Sequence, residues 1–287
     1  MKTLKKTRSI SLLLTLLLMV MMAVPTMSMA AQPTVNLGTT STFAVLAGET
    51  ITNTGPTTIN GSAGGDVGLF PGTAFTGQAS VTLSGAVHIN DSVASVAKDD
   101  LVTAYDDAAG RTPVTLIPTE LGGTTLIPGV YESDSGTFQI TGTLTLDAQG
   151  DPDGVFIFKT TSTLITASGS DVNLIGGARF CRVFWKVGSS ATLGTNSDFV
   201  GHIFALTSIA AQTGATIQGQ LLARNGAVTL DTNTITNGLC AAAPVSTVTG
   251  GEIPTTATPW YNVLLAGAAL VLIGAVGYWR TTRRIHA

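Results

Sequence analysis

TLGTNSDFVGHIFA from Thr192, AAQTGATIQGQLLA from Ala210 and TLDTNTITNG from Thr229 are three versions of one short phrase, and their spacing decides the fold. Anchored on Gly201, Gly219 and Gly238, the lines set Thr195, Thr213 and Thr232 in one column. Phe199, Ile217 and Thr236 form a second column, and Ile203 and Leu221 a third. A short β-rich unit recurring about every 18 to 19 residues with glycine at its corners is the signature of a β-solenoid. Such a coil buries its inward side chains only by stacking on the next, so sequence columns become ladders in space.

Working outward, the same kind of text fills most of the chain. Short alternating segments punctuated by Gly and Pro run from Phe43 to Val87, and strand signals resume after residue 110 and continue to Leu239. Between them the period changes. Asn90 or Asp91 can cap a helix in which Val93, Val96, Ala97, Leu101, Ala104, Tyr105 and Ala108 share a face, and Gly110 is placed to end it. A helix over about 91–109 would be roughly 27 Å long, the height of five or six stacked strands. Val155-Phe156-Ile157-Phe158 and Ile203-Phe204-Ala205 are apolar on both faces and need a cover, which this helix can supply. The predicted fold class is therefore mainly β: a β-solenoid with one long α-helix packed along it.

The two ends have a different character. Lys2, Lys5, Lys6 and Arg8 precede an apolar run from Ile10 to Val24, and Ser28-Met29-Ala30 offers a cleavage site, so 1–30 reads as a signal peptide. Residues 31–240 form the solenoid domain and 241–259 a linker. Residues 260–279, from Trp260 to Trp279, hold no charge and suffice to span a bilayer. Residues 280–287 form a tail with Arg280, Arg283 and Arg284, which orients the span with its tail in the cytoplasm. The chain is thus expected to be exported and held at the cell surface, and to be a monomer. Ile253-Pro254-Thr255-Thr256-Ala257, just before the span, resembles the sortase sorting signal of Gram-positive surface proteins. That resemblance implies cleavage after Thr256 and attachment to the cell wall; otherwise the span itself is the membrane anchor.

The seventeen acids all lie outside leader and tail, against seven of the fourteen basic residues, which leaves the middle about ten charges negative. Nucleic acid and anionic lipid are excluded as partners on that ground. The two cysteines, Cys181 and Cys240, are both exported and predict a disulfide. Catalytic chemistry is scarce. His88, His202 and His286 have no metal-ligand spacing, and His202, aligned with Gln220, is expected to be an outward polar residue. Asp151 and Asp153 flank Pro152 in a turn, and Asp106-Asp107 is expected on the exposed side of the helix. In the repeat, acids occur only at Asp198 and Asp231, in different columns. Neither enzyme activity nor any cofactor or metal is expected.

What remains is the threonine ladder. Strands stack at about 4.8 Å and alternate residues recur at about 6.7 Å, so a flat face of Thr approximates repeats in the oxygen lattice of ice. The hydroxyl can anchor a water, the methyl can pack against its cage, and stiff χ1 angles order the grid before contact.

Longer blocks carry a family resemblance. FAVLAGETITNTGPTTINGSAGGDVGLFPG, LIPGVY, GVFIFKT, FCRVFWKVGSSATLGT and GATIQGQLLARNGAVTLDTNTI resemble the widespread microbial ice-binding protein family of the DUF3494 type, over roughly Leu37 to Ile235. The resemblance implies a discontinuous three-faced β-helix with one helix along it, and ice as the partner of one flat face. Some members carry a Thr-Ala/Gly-x-Thr/Asn pattern there. Thr213-Gly214-Ala215-Thr216 matches it, while Thr195-Asn196-Ser197-Asp198 and Thr232-Asn233-Thr234-Ile235 share its first Thr. Thr73-Ala74-Phe75-Thr76 also fits but lies outside the repeat and is set aside. The candidate ice-binding residues are therefore Thr195, Thr213 and Thr232, with Ser197, Ala215, Thr216 and Thr234 beside them. The competing reading is a surface adhesin or envelope protein on the same scaffold, without affinity for ice.

Overall fold

The computed structural model describes residues 32–240. The expected signal segment, linker, sorting motif, span and basic tail all lie outside the described residues. Among the described residues no helix is long and apolar enough to cross a membrane.

Among the described residues, twenty-two short strands form one sheet of fifteen and one of seven, every pair parallel. Each full coil crosses three faces. In one coil, Ile209–Ala211 lies on the first and residues 216–218 on the second; after a bend at Gly219, residues 220–223 lie on the third. The bend at Gly219 needs a φ of +148 and brings its backbone against Gly201 of the coil below, where a Cβ would meet a carbonyl oxygen at 1.9 Å. Only glycine allows that approach.

The stacking order is not the chain order. On the third face the sequence of neighbours is 115–117, 129–133, 156–160, 183–187, 202–205, 220–223, 43–47, 66–69 and 87–89. The first strand, Phe43–Ala47, is thus inserted between the last full coil and Asp66–Leu69. The N-terminal coils extend the stack beyond the C-terminal repeat, and the helix carries the chain back to the other end.

That helix, α1 (Ser92–Gly110), starts where Asp91 accepts a hydrogen bond from the Ala94 N–H at 2.8 Å. At its other end the Lys159 ammonium donates to the carbonyls of Ala109 and Arg111 at 3.2 and 3.1 Å, satisfying terminal acceptors and meeting the negative end of the helix dipole. Its buried stripe is Ala94, Ala97, Lys98, Leu101, Ala104, Tyr105 and Ala108. Val93 and Val96, expected on that face, are instead half exposed. At 100° per residue the alanines, not the valines, complete the stripe, and small side chains let a helix sit close on a flat sheet. Beneath it Phe43, Leu46, Val130, Ile157, Phe184, Phe204 and Leu222 form an outer core, so the apolar-on-both-sides strands have their cover. Lys98 donates to the carbonyls of Ala223 and Arg224, and burial, with the Arg224 charge, pushes its amine down to about 8.

The solenoid interior is filled by ladders. Tyr131, Phe158 and Trp185 occupy one register position on three adjacent strands and stack at centroid distances of 5.5 and 4.0 Å. The Trp185 indole donates to the Val200 carbonyl at 3.0 Å, so the largest core side chain leaves no polar group unmatched. Cys181 and Cys240 are joined, tying a turn before strand 183–187 to the segment after the last coil.

Two sequence columns require correction. Ile217 pairs with Ile235 and Gly219 is followed by Asn237, so Thr236 and Gly238 do not continue the columns assigned to them. The third coil is one residue shorter at a corner: Ala211 pairs with Leu230, whereas Thr216 pairs with Thr234. A slip of one residue exchanges inside for outside. His202 is paired with Gln220 as the repeat implied, yet it is 2% exposed rather than outward. It stacks on Phe184 at 5.3 Å under the N-terminal segment around Val35, and burial pushes its imidazole down to about 4.

Candidate functional site

Two faces are left bare by the helix. On the second face, strand alternation sends one side chain per coil outward at a common register position: Asp171, Asp198, Thr216, Thr234, Thr58 and Thr82, on six adjacent strands. The four threonines are exposed, and so is Asp198. Beside them run Gln218, Thr236 and Asn60, with the Thr236 hydroxyl donating to Asn60 at 3.0 Å. Thr58, Thr82 and Thr234 make no side-chain hydrogen bond among the described residues, whereas Thr216 donates its hydroxyl to Asp198. The ladder is thus four neutral rungs followed by two stacked carboxylates, with the exposed Thr143 next in the same register. Burial and the Asp198 charge hold the Asp171 carboxyl above its ordinary range.

The corner beside this face holds the rest of the expected site and rearranges it. Gly169, Asn196, Gly214, Thr232 and Gly55 all have left-handed backbone, and each of the first four donates its N–H to the carbonyl of the residue preceding the next in the column. Thr232, at φ +53, therefore stacks with Gly214 rather than with Thr213. A β-branched residue there is strained, and its hydroxyl is directed to Asp231 at 3.0 Å. Thr195 and Thr213 do share a position, but their hydroxyls bond to Gln212 and Asp231. Ser197 and Ala215 turn inward and are 1% and 0% exposed, because the residue after the left-handed turn must fill the corner of the core. In the next coil Asn233 fills that place and caps it, donating to the carbonyls of Gln212 and Ala215.

Of the seven expected residues, the structure aligns Thr216 and Thr234 in one open ladder, puts Thr195, Thr213 and Thr232 at the corner, and removes Ser197 and Ala215 from the surface. It adds Thr58 and Thr82, which the repeat could not reveal because they belong to the N-terminal coils. Their signal was local: Thr58 lies between the buried Thr57 and Ile59 in TTIN, and Thr82 between Val81 and Leu83 in VTL.

The first face is the seven-stranded sheet. Its central outward positions are Gln139, Ile165, Thr192, Ala210, Thr229, Thr52 and Thr76, again one per strand in continuous register. Thr76, set aside from the sequence, stands here next to Thr52. Elsewhere four acids are tied to cations, in Asp107–Arg111, Asp153–Arg182, Glu132–Lys159 and Asp106–Arg224. Among the described residues no three His, Cys, Asp or Glu side chains converge as a metal site would require. A cleft of about 410 Å³ near Ile127 and Val155 holds one carboxylate, Asp151, which accepts from the Asp153 N–H within its own turn.

This combination defines a rigid parallel β-solenoid that offers flat, regularly spaced hydroxyl and methyl groups to an extended surface. The chain belongs to the ice-binding-like family, whose profile matches residues 45–236. It is 47% identical over 210 residues to an ice-binding protein of a Nostoc species, covering 72% of this chain and 76% of that one. A crystal structure of an ice-binding protein from an Antarctic biological consortium superposes with a TM-score of 0.70 at 44% identity, covering 75% of this chain and 96% of the other. One from the Antarctic ascomycete Antarctomyces psychrotrophicus gives 0.67 at 42% identity, with coverages of 71% and 98%.

Proposed function

We propose that the chain binds ice through the second face, with Thr216, Thr234, Thr58 and Thr82 as its contacting rungs. The observation that carries this reading is their common register on four adjacent strands, exposed and with three of four hydroxyls unengaged. Successive rungs about 4.8 Å apart repeat along the solenoid with stiff side chains, so docking on a solid lattice orders little that is not already ordered. Thr195, Thr213 and Thr232 border the contact, and their hydroxyls are already committed to protein partners.

Binding requires no bond to be made or broken, and we infer a non-enzymatic, monomeric role without cofactor. The apolar run and basic residues of 1–30 support export, and the uncharged stretch 260–279 with its arginine tail supports anchoring at the cell surface. Anchoring at the wall through Ile253–Ala257 is the second form of the same reading. An anchored molecule would hold a cell against ice or shape ice at its boundary.

The test is single-crystal growth in a cooling stage with purified residues 32–240. Faceted crystals and a gap between melting and freezing are expected, and Thr234→Tyr, with its fold intact, should narrow the gap and change the facets. Round crystals and ordinary recrystallisation with the unaltered domain would leave the adhesin reading in its place.

A further inference from the structure

We propose that the seven-stranded face is a second ice-contacting surface, so that the solenoid meets ice through two faces diverging from one corner. This rests on the reading that the protein binds ice. The face extends over seven adjacent strands, roughly 30 Å along the solenoid axis. Among the outward positions of these strands the sole charge is Asp231 at the corner, whose carboxylate accepts from Thr213 and Thr232.

The chemistry of the two faces differs in a way that favours a lattice of water as the occupant of this one. On the second face the threonine ladder runs into Asp198 and Asp171 after four rungs, and a carboxylate holds hydration water that ice would have to displace. On the seven-stranded face the central column has no such break. The hydroxyls of Thr192, Thr229, Thr52 and Thr76 make no hydrogen bond among the described residues and remain available to water. A protein partner would need buried aromatic or arginine anchors, and this face offers neither; its one large apolar side chain is Ile165. The face is therefore a poor protein interface and a regular, neutral and stiff platform for ordered water.

The domain of residues 32–240 encloses both hydrophobic clusters, and solved relatives are matched over 96–98% of their length, so it can be studied alone. A fluorescently labelled domain is frozen into a single-crystal ice hemisphere, and the crystal planes that take up label are mapped. The unaltered domain is expected to label two sets of planes. Thr229→Tyr, or Thr52→Tyr on the neighbouring strand, should erase one set and keep the other, and Thr234→Tyr should do the converse. Melting curves equal to that of the unaltered domain establish that each variant is folded. If Thr229→Tyr and Thr52→Tyr both retain the full plane pattern and the full freezing gap, the second surface does not exist, whatever Thr234→Tyr does. If the unaltered domain labels no plane, the ice reading itself falls and this proposal falls with it.

Discussion

Removing the bond between Cys181 and Cys240 tests whether the solenoid depends on a staple at its C-terminal boundary. The two cysteines are 59 positions apart, and the chain between them contains strands 183–187 through 234–236, three coils of the stack. Cross-linking a loop of that length lowers the entropy of the unfolded chain by an amount equivalent to about 4 kcal/mol at room temperature. For a domain of roughly 200 residues, 1 kcal/mol corresponds to about 2–4 °C in melting temperature, so the double substitution Cys181→Ser, Cys240→Ser should melt about 8–16 °C lower. Differential scanning calorimetry with and without reductant measures it, and reductant should reproduce the shift in the unaltered protein while leaving the double variant unchanged. The exposed ladder of Thr216, Thr234, Thr58 and Thr82 lies on strands held by their own backbone ladders, so ice shaping near 0 °C should persist in the variant. A shift of less than about 2 °C would refute the reasoning, since the unfolded state would then not gain the freedom the loop length implies.

Replacing Trp185 by Ala removes the largest ring of the Tyr131–Phe158–Trp185 stack and should cost about 3–5 kcal/mol, read as a fall in the denaturation midpoint at unchanged slope. His202 titrates near 4 when folded and near 6.5 when unfolded, so its contribution is fully present above 6.5 and is lost as pH falls through 4. The loss amounts to about 3 kcal/mol, and a melting temperature that declines over that range in the unaltered protein should decline less in His202→Gln; parallel curves would exclude the histidine as the cause. Asp198→Thr extends the neutral ladder by one rung and should widen the freezing gap at neutral pH; a narrower gap would show that the carboxylate assists docking. Gly214 has φ +74, and an added Cβ would meet the Asn196 side-chain oxygen at 2.3 Å, so Gly214→Ala should destabilise by about 1–3 kcal/mol in thermal melts.

The amino-acid sequence by itself was enough for the class of fold. A period of 18 or 19 residues, glycines at Gly201 and Gly219, and one stretch of helical period between strand-like text imply stacked coils with a helical cover, because each signal reflects local backbone preference or a side-chain period. The exposed hydroxyls of Thr216 and Thr234 were legible for the same reason, since they alternate with the inward Ile217 and Ile235. Three things were decided only in the tertiary structure. A corner one residue shorter in the third coil moved Thr232 into a left-handed position, and the turn itself drew Ser197 and Ala215 inside, because a period of two inverts at every irregular turn. His202 looked like surface because its repeat partner is Gln220, but a segment 160 and more residues earlier in the chain lies over both of them. The ladder gained Thr58 and Thr82, and the seven-stranded face gained Thr52 and Thr76, because coils at the start of the chain are stacked against coils at its end. Periodicity specifies what each coil presents; the order in which coils stack depends on burying two exposed sheet edges against each other, and no local pattern in the sequence records that pairing.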